Sequence, residues 1–372
     1  MSLAVPDEAT TTAVEPHSLP PIEAGHGDEG IAWTHRHLLD VDILTWPEIE
    51  LVLRTAAAMR EVLARPIARV PALRGSTVAI LFYEVSTRTR VSFELAAKAL
   101  SADVVNIAAQ SSSVAKGESL VDTVRTIEAL GASTLVMRHP VSGAPYLAAE
   151  HFGGSVINAG DGWHAHPTQA LLDLATMRAH LPDGSVAGRK VVILGDVLHS
   201  RVARSNLWTL TAAGADVWLC GPATLLRGFE AWAVASVGGP AGSGAPAGGR
   251  RFTVTSDIAA ALRDAAVVMA LRIQRERMSG SLLPSLREYA ARFGLTRARL
   301  ALAGPGALVM HPGPMNEGVE IAPDVAVGPT SVITDQVTTG LAIRMALLYL
   351  LAGARGGSGG SGGGDGGGGG PA

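Results

Sequence analysis

Cysteine is almost absent from this 372-residue chain, and its scarcity excludes two kinds of site. Cys220 is the only cysteine, so the chain forms no internal disulfide and holds no paired-cysteine metal or redox motif. It lies in the apolar run ADVWLC, which favours a buried, inert thiol over a nucleophile. No histidine or cysteine cluster completes a metal site either, so we expect neither a metal nor another cofactor.

An excess of basic residues is also missing. The formal net charge is −3, which excludes a globally basic surface for nucleic acid and leaves any anion site local. The first 35 residues contain no Lys or Arg, so the basic start of a secretory signal is lacking. The apolar run at residues 341–354 is too short to span a bilayer and contains Arg344. The sequence therefore predicts a cytoplasmic protein without a nucleic-acid or membrane partner.

Three segments have compositions that cannot build a core. Residues 1–34 are rich in Pro, Thr and acidic side chains and are expected to form a disordered extension. Residues 353–372 are mostly glycine and are expected to form a disordered tail. Residues 238–250 are rich in Gly, Pro and Ser and are expected to form a flexible insertion.

The rest of the chain alternates short β-branched runs with Ala- and Leu-rich amphipathic segments. That alternation predicts an α/β protein with two doubly wound, parallel-sheet domains. We expect the first domain at residues 35–166, completed by a last helix at about 331–352, and the second at 167–330. A long helix beginning at Pro167 joins them. Ligands of such sheets bind at the carboxyl ends of the strands.

A polar cluster, residues 86–90 (STRTR), directly follows the apolar run VAILFY. Three hydroxyls and two guanidiniums at a helix start favour an anion site, because free N–H groups and the helix dipole add to them. An ordinary hydroxyl cap beside solvent-exposed arginines is the alternative. GxxxxGK[ST] does not occur in the chain, and GxGxxG occurs only at residues 25–30 and within the glycine-rich tail, both in segments expected to be disordered, so a small phosphorylated ligand is favoured over a nucleotide.

Other strand ends carry further polar groups. Arg138 ends one strand, where it needs an anion or a salt bridge, and His166 precedes the helix at Pro167, where a neutral imidazole could donate to a carbonyl. Arg272 and Gln274 share one face of an extended segment and could hold a carboxylate, whereas Arg275 and Arg277 are expected to be solvated. With no candidate nucleophile, this set suits direct acyl transfer from an acyl phosphate to an acidic amine.

These motifs together resemble a known family. The segments STRTRVSFE, SSVAKGESLVDT, VMRHP, NAGDGWHAHPTQALLD, LGDVLHSRVARSN, LRIQRERM and MHPGPMNEGVEI resemble aspartate carbamoyltransferase catalytic chains, in the family order, over about residues 36–352. The sister enzyme, ornithine carbamoyltransferase, shares the STRTR and HPTQ signatures but typically has a cysteine in the loop that here reads HPGP. The resemblance therefore favours aspartate and implies the carbamoyltransferase fold. Val85, Gly313 and Glu317 depart from the residues usual in the family.

The resemblance implies a role for each site residue. Ser86, Thr87, Arg88 and Thr89 bind the phosphate of carbamoyl phosphate, and Arg138 reaches both the phosphate and the carbonyl oxygen. Thr89, Arg138 and His166 stabilise the oxyanion as the L-aspartate amine attacks. Gln169 and the carbonyls of Gly313 and Pro314 hold the carbamoyl NH₂. The two aspartate carboxylates are held by Arg201, Arg272 and Gln274.

A polar loop, residues 111–119 (SSSVAKGES), looks on its own like a flexible connection. In the family this loop enters the site of the neighbouring subunit, and Ser112 and Lys116 match the positions that contact phosphate and aspartate there. The resemblance thus implies a homotrimer with shared sites. It leaves open whether the trimer stands alone, pairs through regulatory chains or joins a dihydroorotase.

Two alternatives remain beside an aspartate carbamoyltransferase of pyrimidine biosynthesis. One is a carbamoyltransferase for another amino acid, such as ornithine. The other is a catalytically silent relative that serves as an assembly scaffold, against which the intact set of site residues argues.

Overall fold

The computed structural model describes residues 31–108, 118–235, 252–278 and 282–357. Within them the chain forms two separate sheets, every strand pair of which is parallel. The expected α/β class with two parallel-sheet units is confirmed. Ser112, Lys116 and the insertion at 238–250 lie outside the described residues.

The first sheet has four strands in the order β2-β1-β3-β4. They are β1 (Thr77–Phe82), β2 (Asp103–Ala108), β3 (Thr134–His139) and β4 (Ser155–Asp161). Strands β1 and β4 are buried along almost their whole length, as expected of parallel strands covered on both faces. Phe82 lies opposite Arg138 in the register, so the chain that leaves β1 begins beside this arginine.

The second sheet has five strands in the order β7-β6-β5-β8-β9. They are β5 (Lys190–Leu194), β6 (Asp216–Cys220), β7 (Phe252–Thr255), β8 (Val267–Ala270) and β9 (Leu308–Met310). Strand order reverses between β1 and β3 in the first sheet and between β5 and β8 in the second. Ligands of open α/β sheets bind outside the carboxyl ends of strands at such reversals.

Helices cover both sheets. In the described part they are α1 (Trp46–Leu63), α2 (Thr87–Ala99), α3 (Leu120–Ala129), α4 (Ala144–Glu150), α5 (Pro167–His180), α6 (Arg201–Ala212), α7 (Phe229–Ala235), α8 (Ile258–Leu262), α9 (Leu286–Phe293), α10 (Arg297–Leu300), α11 (Pro323–Ala326) and α12 (Ile333–Gly357). The joining helix α5 has proline at its first position and is buried almost all round, because it packs against α6 and α12 as well as β4.

The last helix, α12, packs against α1, α2 and α5 and so belongs with the first sheet. The segment Ile333–Ala354 is long and apolar enough to cross a membrane by length and composition alone. However, 56% of its most apolar stretch is buried inside the protein, as in a core helix. The helix ends at Gly357, five residues later than the expected boundary at 352. At the other end, Trp33 is buried although it falls within the segment assigned to the extension.

Candidate active site

A cleft of about 720 Å³ opens where the carboxyl ends of the two sheets face each other. Its walls come from the ends of β1, β3, β8 and β9 and from the starts of α2, α5, α6 and α12. The described residues that the sequence singled out all line it: Ser86, Thr87, Arg88, Thr89, Arg138, His166, Gln169, Arg201, Arg272, Gln274, Gly313 and Pro314. The structure therefore brings these residues, from both sheets, to one cleft.

The start of α2 forms an anion cradle. Ser86 is the N-cap residue, yet its hydroxyl makes no hydrogen bond to the backbone of the helix. An ordinary N-cap would use the hydroxyl for that bond, so here it remains available to a ligand. The first N–H groups of a helix have no partner within the helix and favour a bound anion. Val85, in front of the cradle, is 86% exposed. This arrangement favours a phosphate ligand over a simple cap.

Arg88 extends from the cradle across the cleft to Gly313. A Cβ on Gly313 would collide with the Arg88 guanidinium, and φ at this glycine is +67°, which disfavours any other residue. The departure from the family's usual side chain at Gly313 thus leaves room for Arg88. It also brings the guanidinium beside the turn of residues 311–314, whose carbonyls the sequence assigned to the ligand NH₂.

Glu84 holds three guanidiniums at the centre of the cleft. Its Oε2 lies 2.6 Å from Arg201 Nη2 and 3.2 Å from Arg138 Nε, and its Oε1 lies 2.9 Å from Arg277 Nη2. Burial by itself raises the pKa of this carboxyl, but Arg201 and Arg138 outweigh it and keep the pKa below its usual value. Glu84 is therefore an anion bound to cations from both sheets.

Arg277 was expected to be solvated, and that interpretation is wrong. Its Nη1 donates to the carbonyl of Gly162 at 2.8 Å, and the side chain is only 14% exposed. Arg201 Nη1 reaches the same carbonyl at 3.3 Å. The sequence shows a run of charges here but not the opposing chain end, which is why the contact was missed. Arg275, by contrast, is exposed as expected.

Burial lowers the pKa values of both Arg138 and His166. The pKa of Arg138 is lowered to about 9 by burial and by Arg201, and the side chain stays cationic at neutral pH. His166 is the N-cap residue of α5, where its backbone N–H donates to Ser205 Oγ at 2.9 Å. Burial, then Arg138 and Arg201, lower the pKa of His166 well below 6.5. The imidazole is thus neutral and carries one N–H for a ligand.

Replacing His166 with Gln is expected to make stability less sensitive to acid. As the pH falls through 6.5, the unfolded chain takes up a proton on His166 that the folded chain refuses, so the free energy of unfolding declines. This residue contributes a slope of up to about 1.4 kcal/mol per pH unit below that point. Denaturant titrations of both proteins from about pH 8 to about pH 5 measure it. Equal slopes would contradict a neutral His166.

The second-sheet wall carries the pair expected to hold a carboxylate. Gln274 is fixed at two points: its backbone N–H donates to Asp196 Oδ2 at 3.2 Å, and its Nε2 donates to the carbonyl of His199 at 3.1 Å. His199 Nδ1 in turn lies 2.7 Å from Asp196 Oδ1. Arg272 pairs with Glu276 on the next turn. Both side chains reach the cleft from a supported segment.

Neither a metal site nor a reactive cysteine is found among the described residues. They contain no group of three His, Cys, Asp or Glu side chains placed to hold a metal ion. Cys220 is fully buried, and burial raises the pKa of its thiol to about 12. The expectation of an inert thiol agrees with this environment.

Two family models match the chain in succession. Residues 36–179 match the aspartate/ornithine carbamoyltransferase carbamoyl-P binding domain, and residues 187–351 match the Asp/Orn binding domain of the same family. Together the two matches span most of the chain.

Curated relatives are similar over nearly their whole length. An aspartate carbamoyltransferase catalytic subunit of Roseiflexus sp. (strain RS-1) is 58% identical over 333 residues, covering 90% of this chain and 99% of the relative. The catalytic subunit of the same name from Dehalococcoides mccartyi (strain CBDB1) is 51% identical over 326 residues, covering 87% and 93%.

Solved structures share the fold across both substrate types. Aspartate transcarbamoylase of Trypanosoma cruzi, in complex with carbamoyl phosphate and aspartate, has a TM-score of 0.71 at 27% identity and covers 86% of this chain and 96% of its own. Ornithine carbamoyltransferase from Pyrococcus furiosus has a TM-score of 0.75 at 28% identity and covers 87% and 99%. The fold alone therefore does not choose between the two amino acids.

Proposed function

The chain belongs to the aspartate/ornithine carbamoyltransferase family, and from that premise we propose that its cleft transfers the carbamoyl group of carbamoyl phosphate to L-aspartate. The products are N-carbamoyl-L-aspartate and phosphate, an early step of pyrimidine biosynthesis. One observation carries the proposal: an anion cradle from the first sheet and an arginine-rich wall from the second meet across a single cleft.

Carbamoyl phosphate binds to the first-sheet side. The phosphate accepts hydrogen bonds from the start of α2, that is, from Ser86, Thr87, Arg88 and Thr89. Arg138 lies between the phosphate and the carbonyl oxygen. Gln169 and the carbonyls of Gly313 and Pro314 accept from the carbamoyl NH₂. The support for this placement is that all of these groups line the cleft together.

Aspartate binds on the second-sheet side, where Arg201, Arg272 and Gln274 hold its two carboxylates. The lone pair of its neutral amine attacks the carbamoyl carbon, and the negative charge that forms on the carbonyl oxygen is stabilised by Thr89, Arg138 and neutral His166. The C–O bond to phosphate then breaks, and the departing phosphate takes up the amine proton. Positioning and electrostatics supply most of the acceleration, because no covalent intermediate is needed.

Aspartate is favoured over ornithine for a physical reason. The second-sheet wall presents guanidiniums, which suit the two carboxylates of aspartate and repel the side-chain ammonium of ornithine. The curated relatives of 51–58% identity, which carry the aspartate enzyme's name, support the same choice.

A substrate panel tests this function. Purified protein with carbamoyl phosphate should carbamoylate L-aspartate and leave ornithine unmodified, as measured by product mass and phosphate release. Carbamoylation of ornithine but not aspartate would overturn the choice of substrate. A folded protein that turned over neither amino acid would point instead to the silent scaffold.

We also propose a homotrimer in the cytoplasm whose sites are shared between subunits. Ser112 and Lys116 of one copy would complete the cleft of the next. The exposed apolar side chains of Val91, Leu95 and Val105, on α2 and β2, offer a surface for a second copy. The domain limits at 35–166 and 167–330 remain part of this proposal.

Mixed trimers test the shared site. Lys116→Ala and Arg272→Ala chains should each be inactive alone, because each lacks one contact to aspartate. Hybrids should regain some activity, since a site built from two chains can then receive both intact residues. The two variants have the same net charge, so each carries a different affinity tag, and turnover is measured on hybrid trimers isolated through both tags. Inactive hybrids would count against sharing.

A further inference from the structure

A fully buried carboxylate lies behind the cleft, and three side-chain amides donate to it. Asp173 Oδ1 accepts from Gln169 Nε2 at 2.8 Å and from Gln336 Nε2 at 2.7 Å, and its Oδ2 accepts from Asn206 Nδ2 at 2.8 Å. Asp173 has no exposed surface and is not part of the cleft wall. The amides come from three helices, α5, α12 and α6. A carboxylate is an acceptor only, so it fixes which atom each amide turns towards it.

Asp173 thereby determines which atom of the Gln169 amide faces the ligand. An amide that commits its Nε2 to Asp173 keeps its Oε1 for another partner. Gln169 lines the cleft, so the atom left for a ligand there is an acceptor. A ligand NH₂ satisfies an acceptor, whereas a methyl group of the same size leaves it without a partner.

The same carboxylate also supports the opposite side of the NH₂ position. Gln336 donates to Asp173 with Nε2 and, with its Oε1, accepts from the backbone N–H of His311 at 3.0 Å. His311 Nδ1 accepts from the N–H of Gly313 at 2.8 Å. One hydrogen-bonded path therefore runs from Gln169 to the turn whose carbonyls face the ligand.

We propose that Asp173 is a positioning residue that makes the site specific for a carbamoyl group over an acetyl group, by holding the oxygen of Gln169 towards the acyl donor. This inference rests on the proposed function, since it takes carbamoyl phosphate as the donor. Asp173 itself touches no substrate and acts through Gln169 and the Gln336–His311 path.

Replacing Asp173 with Leu puts methyl groups in place of both carboxylate oxygens and so removes the acceptor of all three amides. Gln336 is held by its bond from His311, and Asn206 is held by a second bond from its Nδ2 to the carbonyl of Val202 at 3.1 Å. Gln169 has no second side-chain hydrogen bond within the described residues, so it is the amide free to rotate. Its rotation would present a donor to the carbamoyl NH₂.

The test compares two acyl phosphates that differ only in NH₂ and CH₃. The KM for carbamoyl phosphate and the inhibition constant of acetyl phosphate are measured in wild type and in Asp173→Leu. We expect the preference for carbamoyl over acetyl to fall about tenfold or more, because Gln169 is then free to turn a donor towards the carbamoyl NH₂. The loss should lie in the carbamoyl constant, with the acetyl constant unchanged. A preserved preference would overturn the proposal.

Thr176→Val is the matched control. Thr176 lies on the same helix, is fully buried and uses its hydroxyl only for the carbonyl of Leu172 at 2.7 Å. Its replacement disturbs a buried polar group of α5 without touching Gln169. Equal loss of preference in this variant would show a general effect of helix damage and would also overturn the proposal.

A second variant keeps the test decisive if Asp173→Leu does not fold. In the double variant Asp173→Asn with Asn206→Asp, the relocated carboxylate accepts from the new NH₂, and the oxygen of residue 173 is again available to Gln169. We expect the carbamoyl preference to return. A folded double variant that still lacked the preference would refute the orienting role. Failure of the proposed function itself is distinguishable, because the wild type would then not turn over carbamoyl phosphate.

Discussion

Replacing Arg88 with Ala is expected to lower turnover roughly 10²- to 10³-fold while the protein stays folded. Arg88 is exposed, makes no ion pair within the described residues, and extends over Gly313 into the cleft, so its removal costs little packing. In the proposed complex its charge stabilises the phosphate, and loss of one such donor costs catalysis by about this factor. Steady-state turnover with carbamoyl phosphate and aspartate, together with thermal melting, measures both effects.

The chain offers a matched control two residues further on. Arg90 is also an exposed arginine in the first turn of α2, but it does not line the cleft. Arg90→Ala should therefore keep nearly full turnover. Retained activity in Arg88→Ala would refute the phosphate role, and equal loss in both variants would show that only the general charge of the helix start matters.

Replacing Glu84 with Gln is expected to have the second-largest effect, on both stability and use of aspartate. Without its carboxylate, the guanidiniums of Arg138, Arg201 and Arg277 repel each other across the cleft. Removing one partner of a buried ion pair typically costs about 3–5 kcal/mol, and because the Glu84 side chain is 20% exposed we expect about 2–3 kcal/mol here. Urea titrations measure this loss.

Kinetics should separate the two substrates of the Glu84→Gln protein. Arg201 and Arg277 lie on the second-sheet side of the cleft, and in this variant they lose their ion pairs with residue 84 on the first-sheet side. We therefore expect kcat/KM for aspartate to fall by roughly tenfold or more. The KM for carbamoyl phosphate should change less, because the start of α2 is intact. Glu288→Gln, which breaks an exposed pair with Arg292 at 3.8 Å, is the control and should shift stability by less than about 0.5 kcal/mol. Aspartate kinetics identical to wild type would contradict the bridging role of Glu84.

The fold was predictable because its signals are local. Parallel strands that helices cover on both faces have to be continuous apolar runs, as β1 and β4 are, and the helices between them show their own period. Even the start of α5 was visible, since proline at a first helical position marks it. The end of α12 was placed five residues early, because the tail's glycine content was counted from residue 353 onward.

The candidate site was predictable where its polar residues lie at the end of a strand or the start of a helix, because the sequence shows such positions directly. Arg88, Arg138, His166 and Arg272 follow strands or begin helices, and parallel sheets put all such positions at one edge. Glu84 was overlooked even though an acidic side chain directly after a buried strand is a signal. Its meaning depends on guanidiniums that lie 54, 117 and 193 residues away in the chain.

The sequence by itself determined the class of fold and, through its motifs, the family, and it predicted an anion site at the start of α2. Only the tertiary structure decided which polar groups pair. Arg277, expected to be solvated, binds Glu84 and so connects the two sheets. Asp173 accepts hydrogen bonds from three side-chain amides. The physical reason is that composition and periodicity report burial and helix or strand formation, which depend on neighbours in the chain. Hydrogen-bond direction and ion pairing depend on groups that meet only when the two sheets face each other.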